Sequence, residues 1–510
     1  MQVTIGLDLQ SGFLAQGGFV RARTISHATG FPLWGYKIRT AFVAASLIPA
    51  LFVICLFALT LYTAPEHDDL CFAARYVRVG FVPTIIDLYR GATGRIVPII
   101  LIQLPAAIST KTGISLVSAY ELTMAACAMI FLAGISVAVA RWWPSIRGLP
   151  LFFMAVAFAS ALLGALPSVR DLLYWLPAVS SYTPAAILSA LILGECVRAL
   201  YAGSGFSNAA TYGIASGGFV AALCNEFTGA WLIVFVVSSV LGRQAFGQIL
   251  QIRQHVLIAV AVLTGFAIVV FSGGSNSRLA ALNGAGHAGD IALSLRGALD
   301  SVASDLLSFL KEPPVAAWLL VAATMTLAEP EPVRPGRGSL LAFGVLAICL
   351  VCIYFEYFMH EFSTGGRLVE RAANEAMMLF LFGLTMVASL LTRVYRPGLR
   401  RLLGSSSLSL GSLTLPLLLG VLMTISVLLS SAASLLFSQR NSLRPYWQES
   451  VERQRLVATS SGRIVTVPKH TWKPSLLMSA DLMATNGCLA ALYDKSDVLG
   501  GEPEGSTSAK

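Results

Sequence analysis

Charge is what this chain has least of. Asp, Glu, Lys and Arg together make up 12% of its 510 residues, about half the share found in soluble domains, which excludes a water-soluble fold. Short alternating apolar and polar segments are missing too, so an outer-membrane barrel is excluded. The apolar runs are long, rich in Leu, Ala and Val, and only helices satisfy their own backbone in lipid over such runs. No Walker loop, dinucleotide fingerprint, HExxH or GxSxG pattern occurs, leaving ATP-driven transport, Rossmann chemistry, zincin proteolysis and α/β-hydrolase chemistry without support. Of the cysteines, Cys55, Cys127, Cys196, Cys224, Cys349 and Cys352 lie inside apolar runs as small hydrophobes. Cys71 and Cys488 fall in polar segments without the paired spacing of a zinc site, so neither a disulfide framework nor a cysteine-based metal site is expected. Basic residues are scattered over short loops instead of forming a stripe, so the net charge of +9 does not signal nucleic acid.

What the chain has is hydrophobicity, 56% of residues with a mean hydropathy of +0.74. The fold class is therefore an all-α polytopic membrane protein. A first span over Thr40–Tyr62 reads as an uncleaved anchor, and ten more are expected near 113–140, 149–166, 184–200, 207–223, 227–242, 255–272, 315–328, 339–358, 374–394 and 411–437, eleven in all. The segment Ile96–Ile108, short and holding Pro98 and Pro105, suits a re-entrant or interfacial helix. With it not crossing, Arg21, Arg23, Lys37 and Arg39 and the loops holding Arg141/Arg147, Arg243/Arg253, Arg334/Arg337 and Arg393/Arg396/Arg400/Arg401 share the cytoplasmic face. The expected organisation is a cytoplasmic segment 1–39, a membrane domain 40–438, a small outer α/β unit 439–499 and a disordered tail 500–510. That outer unit contains a strand-like GRIVTVP (462–468) and a helical stretch near 481–493.

The polar residues that invite chemistry gather on the outer face. The first outer loop begins with Glu66, His67, Asp68 and Asp69, and a carboxylate held against an apolar wall gains the raised pKa of a useful general base. Tyr174, Trp175 and Tyr182 flank a Pro177 bend, where aromatic faces serve equally as an interfacial belt or as stacking surfaces for sugar rings. Asn225 and Glu226 sit between two spans with almost no loop, which points to function or pairing. FSGGSNSR (271–278) combines flexible backbone donors with an arginine, as a phosphate-binding turn does. His360, Glu361, Arg367, Glu370 and Arg371 form a further charged group.

In this order, an Asp-Asp after the first span, Gly94-Arg95, Trp175 and Tyr182, an Asn-Glu pair, SGGSNSR and a final N…LAALY (486–493) resemble the polytopic GT-C glycosyltransferases. The likeness is to the bacterial branch of glucosyltransferases and arabinosyltransferases that use polyprenyl-phosphate sugars to modify surface polysaccharide such as O-antigen. It implies membrane-surface helices in the first outer loop and an inverting transfer in the bacterial inner membrane, at its periplasmic face. The donor is then a polyprenyl-phosphate sugar and the acceptor a surface or lipid-linked glycan. One of Asp69 and Asp68, with a lean toward Asp69, would be the base; Arg95, Arg278 and Arg367 would hold the lipid phosphate; Trp175, Tyr182, Asn225, Glu226 and Asn276 would line the substrate. A divalent metal, where used, would fall to Asp68, Asp69 and Glu226. The turn SGGSN departs from the proline-containing family form, which weakens Arg278 most. The competing readings are an O-antigen polymerase or ligase, which relies on outer-loop arginines, and a lipid-linked oligosaccharide flippase, in which buried charges line a pathway.

Overall fold

A computed structural model describes residues 36–282, 288–329, 335–402, 414–478 and 483–501. Most of the 1–39 segment and of the 500–510 tail lies outside them. The described chain is helical apart from the strands Ile464–Pro468 and Asp497–Gly501, an all-α polytopic membrane architecture. Seven helices are long and apolar enough to cross a membrane, and nine if each of two bent pairs is one span. The bent pairs are Ile291–Lys311 with Pro313–Leu327, at 70°, and Thr414–Leu428 with Ser431–Thr459, at 55°. The difference from eleven lies in Leu149–Ala165 and Asn208–Ala222, only 17 and 15 residues long, at or below the length that spans lipid unaided.

Local sequence explains where the helices begin and end. Ser115, Ser207, Asn225 and Ser430 accept from backbone N–H groups in the first turns of the helices they precede, satisfying donors that lipid cannot. Gly113 and Gly203 stop their helices at φ of 76° and 68°, a backbone that only glycine adopts without strain. Ile96–Thr112 is broken between Leu101 and Leu104 and totals fewer residues than any of the long spans.

The core is organised around the short helix Leu149–Ala165, in which every side chain from Phe153 to Ala165 is buried. A helix apolar on all sides must be central, and this one packs on Tyr36–Ala58, Leu116–Trp142 and Pro313–Ala328. Beside it, Trp318 meets Trp143 and Phe158 edge-on at 6.1 and 5.0 Å, and both indoles donate, to Thr385 and Thr326 at 2.8 and 2.9 Å. At the end expected to face the cytoplasm, buried Glu329 accepts from Arg393 at 2.7 Å and from Ser145 at 2.7 Å, while Arg396 donates to its carbonyl. These arginines, read in the sequence as loop charges, are buried parts of the bundle.

The C-terminal strands pair in parallel, Ile464 opposite Asp497, and the helix Met483–Leu492 between them packs on His67–Val79, which follows the first long helix. Leu70, Ala73, Val457, Val465, Leu489 and Val498 make a small apolar core there. Cys71 and Cys488 are joined across it by a disulfide spanning 417 residues of chain, contrary to the expectation that the cysteines imply no disulfide. Spacing could not reveal the pair, because it is made by tertiary docking. Cys71→Ser should lower stability by about 2–5 kcal/mol, read as a fall in Tm that reducing agent reproduces in the wild type. Peptide mapping without reductant should recover the linked 71 and 488 peptides only from the wild type.

Candidate functional site

Glu66 is the N-cap of His67–Val79 and forms a reciprocal capping box with Asp69. The Glu66 N–H donates to Asp69 Oδ2 at 3.2 Å. One Glu66 carboxylate oxygen accepts from Arg170 at 3.3 Å and the other from the Tyr446 hydroxyl. Arg170 also donates to Asp171 at 2.9 Å. One carboxylate thus binds the segment after the first long helix to the short helix Val169–Leu173 and to the long C-terminal helix. Asn374 closes the same end, donating to and accepting from the Ser168 backbone at 2.6 and 3.0 Å.

Asp69 stands at the bottom of this pole, 5% exposed, with Oδ1 buried and unpartnered. Burial raises its carboxyl well above the ordinary range, against the opposing hydrogen bonds from the Glu66 backbone and Tyr120. The surrounding protons agree. Tyr120 Oη lies 3.0 Å from Asp69 Oδ2, 3.2 Å from the Tyr174 carbonyl and 3.1 Å from the Leu176 N–H, and its single proton cannot serve both acceptors. With a proton on Asp69, the acid donates to Tyr120 Oη, which donates to the Tyr174 carbonyl, and every hydrogen bond is made. Asp68, by contrast, is over a third exposed beside His67 at 3.4 Å. The structure separates the two aspartates that the sequence leaves as a pair.

Two guanidinium groups lie over the Trp175 ring, Arg170 at 5.0 Å and Arg371 at 5.3 Å from its centroid. Arg170 is held by Glu66 and Asp171. Arg371, in the first turn of Glu370–Leu402, has no carboxylate within salt-bridge distance among the described residues and helps to pull the carboxyl of buried Asp171 down against the larger upward push of desolvation. In sequence it is one of five charged residues between 360 and 371. The cue that could have singled it out is its position opening a span that also carries Asn374 and Glu375.

The other expected residues form a second centre. Arg95 grips Glu226 with two hydrogen bonds, at 3.0 and 2.7 Å, and reaches the Tyr182 hydroxyl at 3.3 Å. Its fork is filled by protein, which is not how a free phosphate ligand is held. Asn225 caps Glu226–Ala245 and donates to both Glu375 oxygens at 3.2 and 3.1 Å. Arg367, more than half exposed, pairs with Asp305. The sequence SGGSNSR opens a helix, Gly273–Leu282, where a phosphate-binding turn was expected. Its glycines allow close backbone packing: a Cβ on Gly274 would stand 2.3 Å from the Thr93 nitrogen, and one on Gly94 would stand 2.2 Å from the Val269 carbonyl oxygen. Asn276 is exposed there, and the Arg278 side chain lies outside what is described. Among the described residues no three His, Cys, Asp or Glu side chains are placed to hold one metal ion, so Asp68, Asp69 and Glu226 do not make a common metal site.

No protein-family model, no curated protein and no solved structure matches this chain. The raised carboxyl of Asp69 makes its own test. Because the folded protein keeps a proton that the unfolded chain has released, stability falls as pH rises above about 4 and through the raised pKa. Asp69→Asn removes that dependence, so its Tm should gain on the wild type progressively from pH 5 to 8 in thermal unfolding of the detergent-solubilised protein. A difference that does not change with pH would mean that Asp69 is ionised in its buried site.

Proposed function

We propose that the protein is an inverting glycosyltransferase that moves a sugar from a polyprenyl-phosphate donor to a surface or lipid-linked glycan. The observation that carries the reading is Asp69, a buried carboxyl with one unpartnered oxygen, beside the Arg170–Trp175–Arg371 stack. In the reaction the acceptor hydroxyl oxygen attacks the anomeric carbon while its proton passes to ionised Asp69. The bond from that carbon to the phosphate oxygen breaks, and its electron pair leaves with the polyprenyl phosphate. That leaving group is already charged, so it needs a cation more than an acid. Arg371, with no hydrogen-bond or ion-pair partner for its fork among the described residues, suits this better than Arg95 or Arg367.

In this reading the two short helices also cross, giving eleven spans, a cytoplasmic N-terminus, and an outer face bearing 64–95 and the C-terminal unit in the periplasm of a bacterial inner membrane. The Cys71–Cys488 disulfide supports that side, since such bonds persist in oxidising compartments.

Transfer from polyprenyl-phosphate glucose, mannose or arabinose by the purified protein tests the reading. Asp69→Asn should lose about 10²–10⁴-fold in kcat while Asp68→Asn keeps most of it. In the wild type the rate should rise with pH as Asp69 ionises. Arg371→Ala should raise the donor KM about 10- to 100-fold, the loss of charge-assisted bonds worth about 1.5–3 kcal/mol. Full activity in Asp69→Asn would remove the base, and no transfer from any of the three donors would remove the enzyme.

A further inference from the structure

The helices Leu116–Trp142 and Leu176–Ala202 run side by side and part toward their C-termini. They touch where a Cβ on Gly134 would stand 2.6 Å from the Ile187 side chain, whereas a Cβ on Gly194, farther along, would meet only the end of the Met386 side chain, at 3.4 Å. A groove opens there, lined by Ala138, Ala190, Leu191 and Gly194 of the two helices and by buried Trp318 and Phe382. It lies far from Asp69. Tyr120, which touches Asp69, and Trp142, which lines the groove, are about 33 Å apart along one helix.

Three charged side chains also line this groove: Arg141, Glu195 and Arg198. Arg198 donates to one Glu195 oxygen through Nε at 3.2 Å and again through Nη2. Arg141, with its side chain 67% exposed, stands 3.6 Å from the other oxygen. One carboxylate against two guanidinium groups leaves a positive charge at the mouth, and residues at the ends of two spans lie at the depth of lipid headgroups. A second feature is independent of that charge. Trp142 is 8% exposed and its indole N–H is buried without an acceptor, while the indoles of Trp143 and Trp318, in the same lining, donate to Thr326 and Thr385. A buried donor left open in this way is rare in a finished core and calls for an oxygen from elsewhere.

We propose that this groove binds an anionic diacyl phospholipid from the surrounding bilayer. An acyl chain lies along the apolar lining, an ester carbonyl accepts from the Trp142 indole, and the phosphate pairs with Arg141, the arginine that Glu195 holds less closely. The three features select together. A zwitterionic lipid brings its own cation to a mouth that is already positive. A polyprenyl phosphate has the charge but no carbonyl for Trp142, and free phosphate has nothing to set against the apolar lining. The bound lipid would fix the separation of the two helices that carry Tyr120 and Tyr182, which makes it a structural ligand and not a substrate.

Native mass spectrometry of the delipidated full chain in nonionic detergent, titrated with one lipid at a time, tests this. Phosphatidylglycerol should bind about tenfold more tightly than phosphatidylcholine with the same acyl chains, and its ether-linked analogue, which keeps the charge and loses the carbonyls, should bind several-fold more weakly than the ester. Arg141→Gln, at an exposed position, should lower phosphatidylglycerol affinity about fivefold and leave phosphatidylcholine unchanged. Trp142→Phe should abolish the difference between ester and ether while keeping the preference for the anionic lipid, and Gly194→Leu, which fills the groove, should erase that preference. Equal affinity of the wild type for the two headgroups, or an unaltered preference in both Arg141→Gln and Gly194→Leu, overturns the proposal. Ester and ether forms that bind the wild type alike, or a polyprenyl phosphate that binds more tightly than phosphatidylglycerol, overturn the choice of a diacyl lipid. None of these readouts involves sugar transfer, so they stand apart from the role of Asp69.

Discussion

One end of this molecule depends on the carboxylate of Glu66. Each of its contacts is ordinary, a helix cap, an arginine and a tyrosine hydroxyl. Together they fasten the start of His67–Val79, the bend before Leu176 and the C-terminal helix to one point. Water would compete for each of these bonds at an exposed site, and burial makes them cooperative instead. Asp69 is buried because Glu66 caps its helix and turns the first turn inward. The arginine stack on Trp175 is fixed because Glu66 takes one end of Arg170. The geometry of this pole follows from that cap.

The membrane character and most span positions were legible from composition and run length alone, since lipid admits few backbone solutions. What run length could not supply was how short helices behave. Leu149–Ala165 has the apolarity of a span and is the packing centre of the bundle, while Asn208–Ala222 is shorter still, and composition does not separate a central helix from a crossing one. At the site, Asp69 was visible because an acidic residue just past an apolar run is rare. Arg95, Glu226, Asn225 and Tyr182 were equally visible, and the structure does bring them together, but as a filled ion pair with its caps. Sequence identifies which polar residues are out of place in lipid. It does not say whether they satisfy one another, and that distinction turned the phosphate reading from Arg95 to Arg371. The glycines of SGGSN mislead for a similar reason: a missing Cβ serves a ligand or a neighbouring backbone alike, and here Thr93 occupies the space.

The two polar centres differ in how their charges are settled. Around the first, Arg170 and Arg371 face Glu66, Asp171 and Glu370, and burial pushes the Asp69 carboxyl upward. In the second, Arg95 grips Glu226 while Glu375 is held by the neutral donors Asn225 and Thr228. The helix Leu176–Ala202 contributes to both, with Trp175 at its N-cap and Tyr182 two turns on, about 10 Å along its axis. A shift of that helix would be felt at both levels.

The bond between Cys71 and Cys488 turns almost the whole molecule into a covalent ring. Every helix from Leu116–Trp142 to Ser431–Thr459 lies within the closed stretch. A protease that nicks any loop of that stretch opens the ring and cuts the chain, yet the two pieces remain one particle until the disulfide is reduced. The bond also restrains how far His67–Val79 and the C-terminal unit can separate when the bundle breathes, since their attachment survives the loss of every non-covalent contact between them.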